Sequence, residues 1–270
     1  MFDEILACLD GSPAAEKILP VAHAIASRRG NLVLLRVLAD YADLGKEEAY
    51  LRELARQYNA QSRIIFSGDA AGAIVRELEK NQSAIATMTT HGRTGWSEAI
   101  LGSVALEVVT EVARPVILFR PPAEPRDTPA SINTIAVALD GSDFSETILP
   151  HAVEAARALD ARLLLLQALP LQSLISPGPG QETYAAMEAA YLHRKADEIK
   201  RSCGITTQWE VLHGEAATAI CRYLSNIPGI MLAMMSHGRA GVKRKIFGSV
   251  AGHCLRGAGV PILIYCPTSL

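Results

Sequence analysis

The sequence predicts an α/β protein built from two doubly wound parallel sheets in tandem. Two observations carry this prediction: the chain is written twice, and each copy alternates short apolar runs with helical patterns. Ile5–Pro20 reads ILACLDGSPAAEKILP, and Ile135–Pro150 reads IAVALDGSDFSETILP. His91–Val104 (HGRTGWSEAILGSV) is matched by His237–Val250 (HGRAGVKRKIFGSV). Each copy closes on a Pro-led apolar run, Pro115–Phe119 or Pro261–Tyr265. Self-similarity of this kind marks repeated units. Strands that alternate with helices pair in parallel through right-handed crossovers, which gives an open sheet with helices on both faces.

In the first copy, strands are expected at Ile5–Leu9, Leu32–Leu38, Ser62–Phe66, Ala84–Thr89 and Pro115–Phe119. Helical patterns lie between them at Pro13–Arg28, Lys46–Tyr58, Ala70–Asn81 and Ser103–Val112. Ser12 reads as an N-cap, with Pro13 at the first helical position and Glu16 one turn on. The second copy repeats the strands near Ile132–Leu139, Arg162–Leu169, Thr206–Val211, Ile230–Met235 and Pro261–Tyr265. Asp10 and Asp140 are 130 positions apart, whereas His91 and His237 are 146 apart. The second copy has therefore gained sixteen residues between the motifs, most of them near the Pro/Gly-rich loop Pro170–Gln181. Pro121–Ala130 (PPAEPRDTPA) has linker composition. The expected domains are 1–121 and 131–270, joined by a linker at 122–130.

Composition narrows the function. Of 270 residues, 49% are apolar and 20% charged, which suits a globular chain with real cores and excludes disorder as a description of the whole. The net charge of −2, from 26 basic and 28 acidic residues, provides no global field for a nucleic-acid backbone or an anionic membrane. Apolar runs such as Leu163–Leu166 fall far short of the ~20 residues of a membrane helix. Met1–Leu9 carries Asp3 and Glu4 and no basic n-region, so no secretory signal is read and the expected compartment is the cytoplasm. Five cysteines without a CxxC pair argue against a disulfide framework and a cysteine zinc site. Cys8 and Cys266 sit in apolar strand-like runs, where a cysteine is usually a small buried hydrophobe, and all five are expected to be structural.

Open α/β sheets bind ligands beyond the carboxyl ends of their strands, at the topological switch point. Two such loops stand out in both copies. After the first strand come Asp10-Gly11-Ser12 and Asp140-Gly141-Ser142. After the fourth comes His-Gly-Arg-x-Gly, ending in Gly102-Ser103 or Gly248-Ser249 at the start of the next helix. A Gly-Ser helix start offers unpaired backbone N–H groups, a hydroxyl and the positive end of the helix dipole, a setting for phosphate. Arg93 and Arg239 would add charge-assisted bonds. Asp10 and Asp140 would accept from an adenine amino group or a ribose hydroxyl. Each motif alone is also an ordinary turn or helix start. Their recurrence in both copies, where the fold predicts a cleft, favours the binding role. No GxxxxGK[ST] exists, and no GxGxxG follows a strand, so neither a P-loop nor a dinucleotide fold is indicated.

The glycine-serine loop, the strand-ending aspartate and the repeat together resemble the universal stress protein family, here as a tandem two-domain member. The nucleotide-binding branch of that family carries G-x-x-G-x9-G-[ST]. Gly92 and Gly102-Ser103 match its later part, as do Gly238 and Gly248-Ser249. The resemblance implies five-stranded sheets of order 3-2-1-4-5 and a loop wrapping ribose and triphosphate. Its ligand is ATP, with or without Mg²⁺, or else AMP or ADP. The implied contacts are Asp10, Gly92, Arg93, Gly102, Ser103 and Val104 in one half, and Asp140, Gly238, Arg239, Gly248, Ser249 and Val250 in the other. It further implies dimerisation through the last strand, here as an internal pseudo-dimer within one chain, with a homodimer and a protein partner as further expectations. The first glycine of the pattern is replaced by Thr89 in one half and Met235 in the other. Thr is small enough to sit beside ribose; Met either narrows the pocket or turns away. Lys243, Arg244 and Lys245 add charge to the second loop, where the first has Ser97 and Glu98.

Three readings follow. The first is a nucleotide-binding regulatory protein with slow or no hydrolysis. The second is an interaction protein that binds no ATP, its clefts vestigial or holding another small ligand. The third is an enzyme transferring AMP or phosphate, with His91 or His237 as acid/base or phosphoacceptor. The commoner role of such histidines is to fix a loop by hydrogen bonding. The remaining histidines lack metal-ligand spacing. Trp96 and Trp209 read as packing residues, with Trp96 alternatively a lid over the first cleft, and no aromatic platform surrounds the basic trio to stack RNA bases.

Overall fold

A computed structural model describes residues 2–90, 102–121, 131–171, 184–237 and 247–267. The chain divides into two compact units, Met1–Ser131 with Ile264–Leu270, and Ile132–Leu263. In the first half the chain runs β1 (Glu4–Leu9), α1 (Pro13–Glu16), α2 (Leu19–Arg29), β2 (Asn31–Leu38), α3 (Leu44–Tyr58), β3 (Gln61–Phe66), α4 (Ala70–Lys80), β4 (Ala84–Thr89), α5 (Ser103–Glu111) and β5 (Val116–Phe119). The second repeats it as β6 (Thr134–Leu139), α6 (Asp143–Glu146), α7 (Leu149–Leu159), β7 (Arg162–Leu169), α8 (Tyr184–Cys203), β8 (Thr207–His213), α9 (Ala216–Leu224), β9 (Ile230–Met235), α10 (Ser249–Gly257) and β10 (Ile262–Tyr265). The linker expected at 122–130 lies outside the described residues.

The strand orders are β3-β2-β1-β4-β5 and β8-β7-β6-β9-β10, the 3-2-1-4-5 arrangement in each half. Strand β1 pairs in parallel with β2 (Cys8 with Leu35) and with β4 (Ala7 with Thr87); β6 does the same with β7 and β9. Covered on both faces, the inner strands read as continuous apolar runs instead of alternating. All six residues of β4 and of β9 are buried.

The helix predicted over Pro13–Arg28 is in fact two. Pro20 has no N–H to return to the Glu16 carbonyl, and its ring would clash there. The chain tightens through Lys17 and Ile18, whose N–H groups donate to the Ala14 and Ala15 carbonyls, before α2 begins. Pro150 imposes the same break between α6 and α7. The second half also stores part of its extra length in a helix, since α8 has 20 residues against 15 in α3.

Candidate functional site

Because β1, β2 and β4 run in parallel, their carboxyl ends share one edge, and β1 lies between β2 and β4 where the strand order reverses. A cavity of about 350 Å³ opens there, lined by Asp10, Thr89, Thr90, Gly102, Ser103 and Val104, with Arg36 and Ala70. Its counterpart in the second half measures about 510 Å³ and is lined by Asp140, Met235, Ser236, His237, Gly248, Ser249 and Val250, with Ala216 and Ile220. The described site residues of each half are thus brought to one cavity. Gly92, Arg93, Gly238 and Arg239 lie outside the described residues, as do His91, Trp96, Ser97, Glu98 and Lys243–Lys245.

The Asp-Gly-Ser loop is built as a tight turn that caps a helix. Asp10 Oδ1 accepts from Ser12 N (2.9 Å) and from Ser12 Oγ (2.6 Å), while Ser12 Oγ accepts from Ala15 N (3.2 Å). Asp140, Ser142 and Ser145 repeat the set at 3.0, 2.5 and 3.2 Å. Gly11 and Gly141 hold φ of 81° and 80°, a left-handed conformation that favours glycine. The turn role is therefore filled, and the same bonds hold each aspartate at the cavity wall.

Helix starts around the cavity differ in how their N–H groups are satisfied. Helix α1 is capped by Ser12 and α4 by Asp69, which accepts from Gly72 N; Ser142 and Glu215 cap α6 and α9. Helices α5 and α10 have Gly102 and Gly248 at the N-cap position, and no side chain caps either. Their first intrahelical bonds are Leu106 N to Gly102 O (3.0 Å) and Gly252 N to Gly248 O (2.8 Å). The N–H groups of Ser103, Val104 and Ala105, and of Ser249, Val250 and Ala251, therefore lack intrahelical acceptors, and all six residues line the cavities. Gly102 N donates to Thr90 O (2.6 Å) and Gly248 N to Ser236 O (2.8 Å), so each open helix start is fastened to the end of its strand.

Other charges there are largely committed. His237 Nδ1 lies 3.0 Å from Ser236 Oγ, and burial holds its pKa below the usual imidazole value. Met235 lines the second cavity without closing it, and its sulfur accepts from Thr147 Oγ1 at 3.1 Å. Trp209 lies on β8 with its ring edge-on to His193, 6.0 Å between centroids. Among the described residues, no group of three or more His, Cys, Asp or Glu is placed to hold a metal ion, and no helix is long and apolar enough to cross a membrane.

Sequence reasoning missed a layer behind the turn. Arg36 on β2, 5% exposed, donates to Glu47 of α3 at 2.8 and 3.2 Å, and its guanidinium lies where a Cβ on Gly11 would approach to 3.1 Å. At the same place in the second half, Gln167 Nε2 donates to Glu188 at 2.6 Å. Tyr50 and Tyr191 then donate to Glu16 and Glu146, at 3.1 and 2.8 Å, tying α3 and α8 to the turn helices. A repeated Glu-x-Ala-Tyr-Leu at 47–51 and 188–192 was the available signal.

Fold and site together define a tandem doubly wound α/β protein with a strand-end cavity in each half. The chain belongs to the universal stress protein family: that family's model matches residues 1–120 and again 131–265. Universal stress protein Slr1230 of Synechocystis sp. is 22% identical, over 97% of this chain and 99% of its own length. Universal stress protein Rv2005c of Mycobacterium tuberculosis is also 22% identical, over 85% of this chain and 75% of its own. Among solved structures, a universal stress protein from Archaeoglobus fulgidus superposes over the full length of both chains, with a TM-score of 0.71 at 19% identity. The Pseudomonas aeruginosa protein PA1789 gives 0.66 at 18% identity, over 98% of this chain and 93% of its own. These structural likenesses are likenesses of fold.

Proposed function

We propose that the chain is a regulatory protein that binds adenine nucleotide, ATP foremost, in its strand-end cavities. The observation that carries this reading is the uncapped start of α5 and α10, open onto a cavity in each half beside an aspartate held at the end of β1 or β6. Three unpaired N–H groups at the positive end of a helix suit phosphate oxygens. Asp10 and Asp140 stand where an adenine amino group or a ribose hydroxyl would donate. Gly92, Arg93, Gly238 and Arg239 belong to the same proposal as the phosphate loop, and any Mg²⁺ arrives with the nucleotide. Binding selects one arrangement of the loops and so controls a partner, with hydrolysis slow or absent. With γ-labelled ATP the expected result is no release of phosphate on the timescale of binding.

Gly102→Val tests the site with little risk to the fold. Gly102 has φ of −65°, open to any L-residue, and among the described residues a Cβ there meets only Thr90 O, at 3.5 Å. The added side chain sits at the mouth of the N–H cluster. Gly102→Val combined with Gly248→Val is expected to lower ATP affinity at least tenfold by calorimetry, with an unchanged circular dichroism spectrum. Retained affinity in the folded double variant would remove this reading.

A further inference from the structure

Cys221 and Cys254 stand apart from the other cysteines. Cys221 lies on α9 and is half-buried; Cys254 lies on α10 and is fully buried; their sulfurs are 3.9 Å apart. In the first half the equivalent positions, 146 residues earlier, are Val75 on α4 and Val108 on α5, both buried apolar packing residues. The fold therefore requires no sulfur at either position. Cys8, by contrast, is buried alone, and burial pushes its thiol up to about 12.

We infer that Cys221 and Cys254 form a redox-active dithiol that peroxide converts to a disulfide joining α9 to α10. The chemistry balances in two steps. The Cys221 thiolate attacks one peroxide oxygen and the O–O bond breaks, giving a sulfenic acid and, after protonation, water. The Cys254 sulfur then attacks the sulfenic sulfur, its proton leaves with the hydroxyl as a second water, and the S–S bond forms. Two thiols lose two electrons and one hydrogen peroxide is reduced to two waters. The sulfurs need to close from contact to about 2.05 Å. The order of the steps follows from the environments. Cys254 donating to a Cys221 thiolate holds the Cys221 pKa below an ordinary thiol, whereas the hydrogen bond to Cys221 and burial push Cys254 up. Thiolate character and access select the attacking sulfur. The bond would tie together the helices that open onto the second cavity at Ala216 and Ser249.

The test does not depend on nucleotide binding. The full chain is reduced, desalted, exposed to a few equivalents of hydrogen peroxide, quenched in acid and alkylated with N-ethylmaleimide in denaturant. Digestion with trypsin and a glutamyl endopeptidase separates Cys221 (Ala216–Arg222) from Cys203, and leaves Cys254 in Ile246–Arg256. The expected product is these two peptides joined, short of two hydrogens and separated again by dithiothreitol. The double variant Cys221→Val with Cys254→Val copies the first half, so it is expected to fold and to lose no thiol pair. Full alkylation of Cys221 and Cys254 after peroxide would overturn the inference. So would a Cys221 sulfinic acid without the linked peptide.

Discussion

Arg36 and Gln167 occupy one position under the turn after the first strand of each half, and they set different electrostatic conditions there. Arg36 and Glu47 are an ion pair with side chains 6% and 17% exposed, bonded through two guanidinium nitrogens. Gln167 and Glu188 replace it with a single amide-to-carboxylate bond. Breaking a buried pair by removing one partner leaves an uncompensated charge and costs about 3–5 kcal/mol. Glu47→Ala is therefore expected to lose stability on that scale in urea denaturation. Arg36→Gln installs the second half's arrangement and is expected to cost far less. Equal losses for the two variants would refute this account of the turn. The pairing was hidden in the sequence because 11 positions separate Arg36 from Glu47 and neither belongs to the glycine-rich motifs. Only the repeated Glu-x-Ala-Tyr-Leu pointed to it.

At the scale of the element, most strands and helices were legible because a parallel sheet buried on both faces demands long apolar runs. The exception was the helix after the first strand, where apolar periodicity outweighed Pro20 and Pro150 although proline chemistry forbids a continuous helix. Asp10, Gly102, Ser103 and Val104 were legible because strand ends and helix starts meet at the switch point, and their second-half equivalents meet in the same way. A further interaction ties β1 and β3 to α4. Arg63 on β3 pairs with Glu77 of α4 and reaches Glu4 of β1 at 3.5 Å, while Lys80 Nζ lies 2.7 Å from Glu77. Burial disfavours the charged form of Glu77, but hydrogen bonds from Lys80 and Arg63 win and hold its pKa below the usual value. A carboxyl with a depressed folded-state pKa stabilises the fold above its unfolded pKa, and the effect is lost as pH falls through the folded value. Stability is therefore expected to drop on acidification through the carboxylate range, with a shallower slope in Glu77→Gln. Equal slopes in the two proteins would exclude this role for Glu77.

For the whole molecule, duplication preserved the strand order, the Asp-Gly-Ser turn and the open helix start, while the chemistry around them diverged. The first half keeps Arg36, Val75 and Val108 where the second has Gln167, Cys221 and Cys254. The repeated features carry the proposed nucleotide site of each half, and the divergent cysteines carry the dithiol proposed for the second. The tandem organisation was legible from two short motifs. The cavities were not, since their size depends on how β1 and β4 diverge and on side chains such as Met235, which the sequence alone could not orient. The most direct measurement purifies the chain without added nucleotide, denatures it, and identifies released small molecules by ion-exchange chromatography with mass detection, alongside calorimetric titration with ATP. One or two adenine nucleotides per chain, released or taken up, is the predicted result. An empty protein that gives no heat with millimolar ATP would contradict the account.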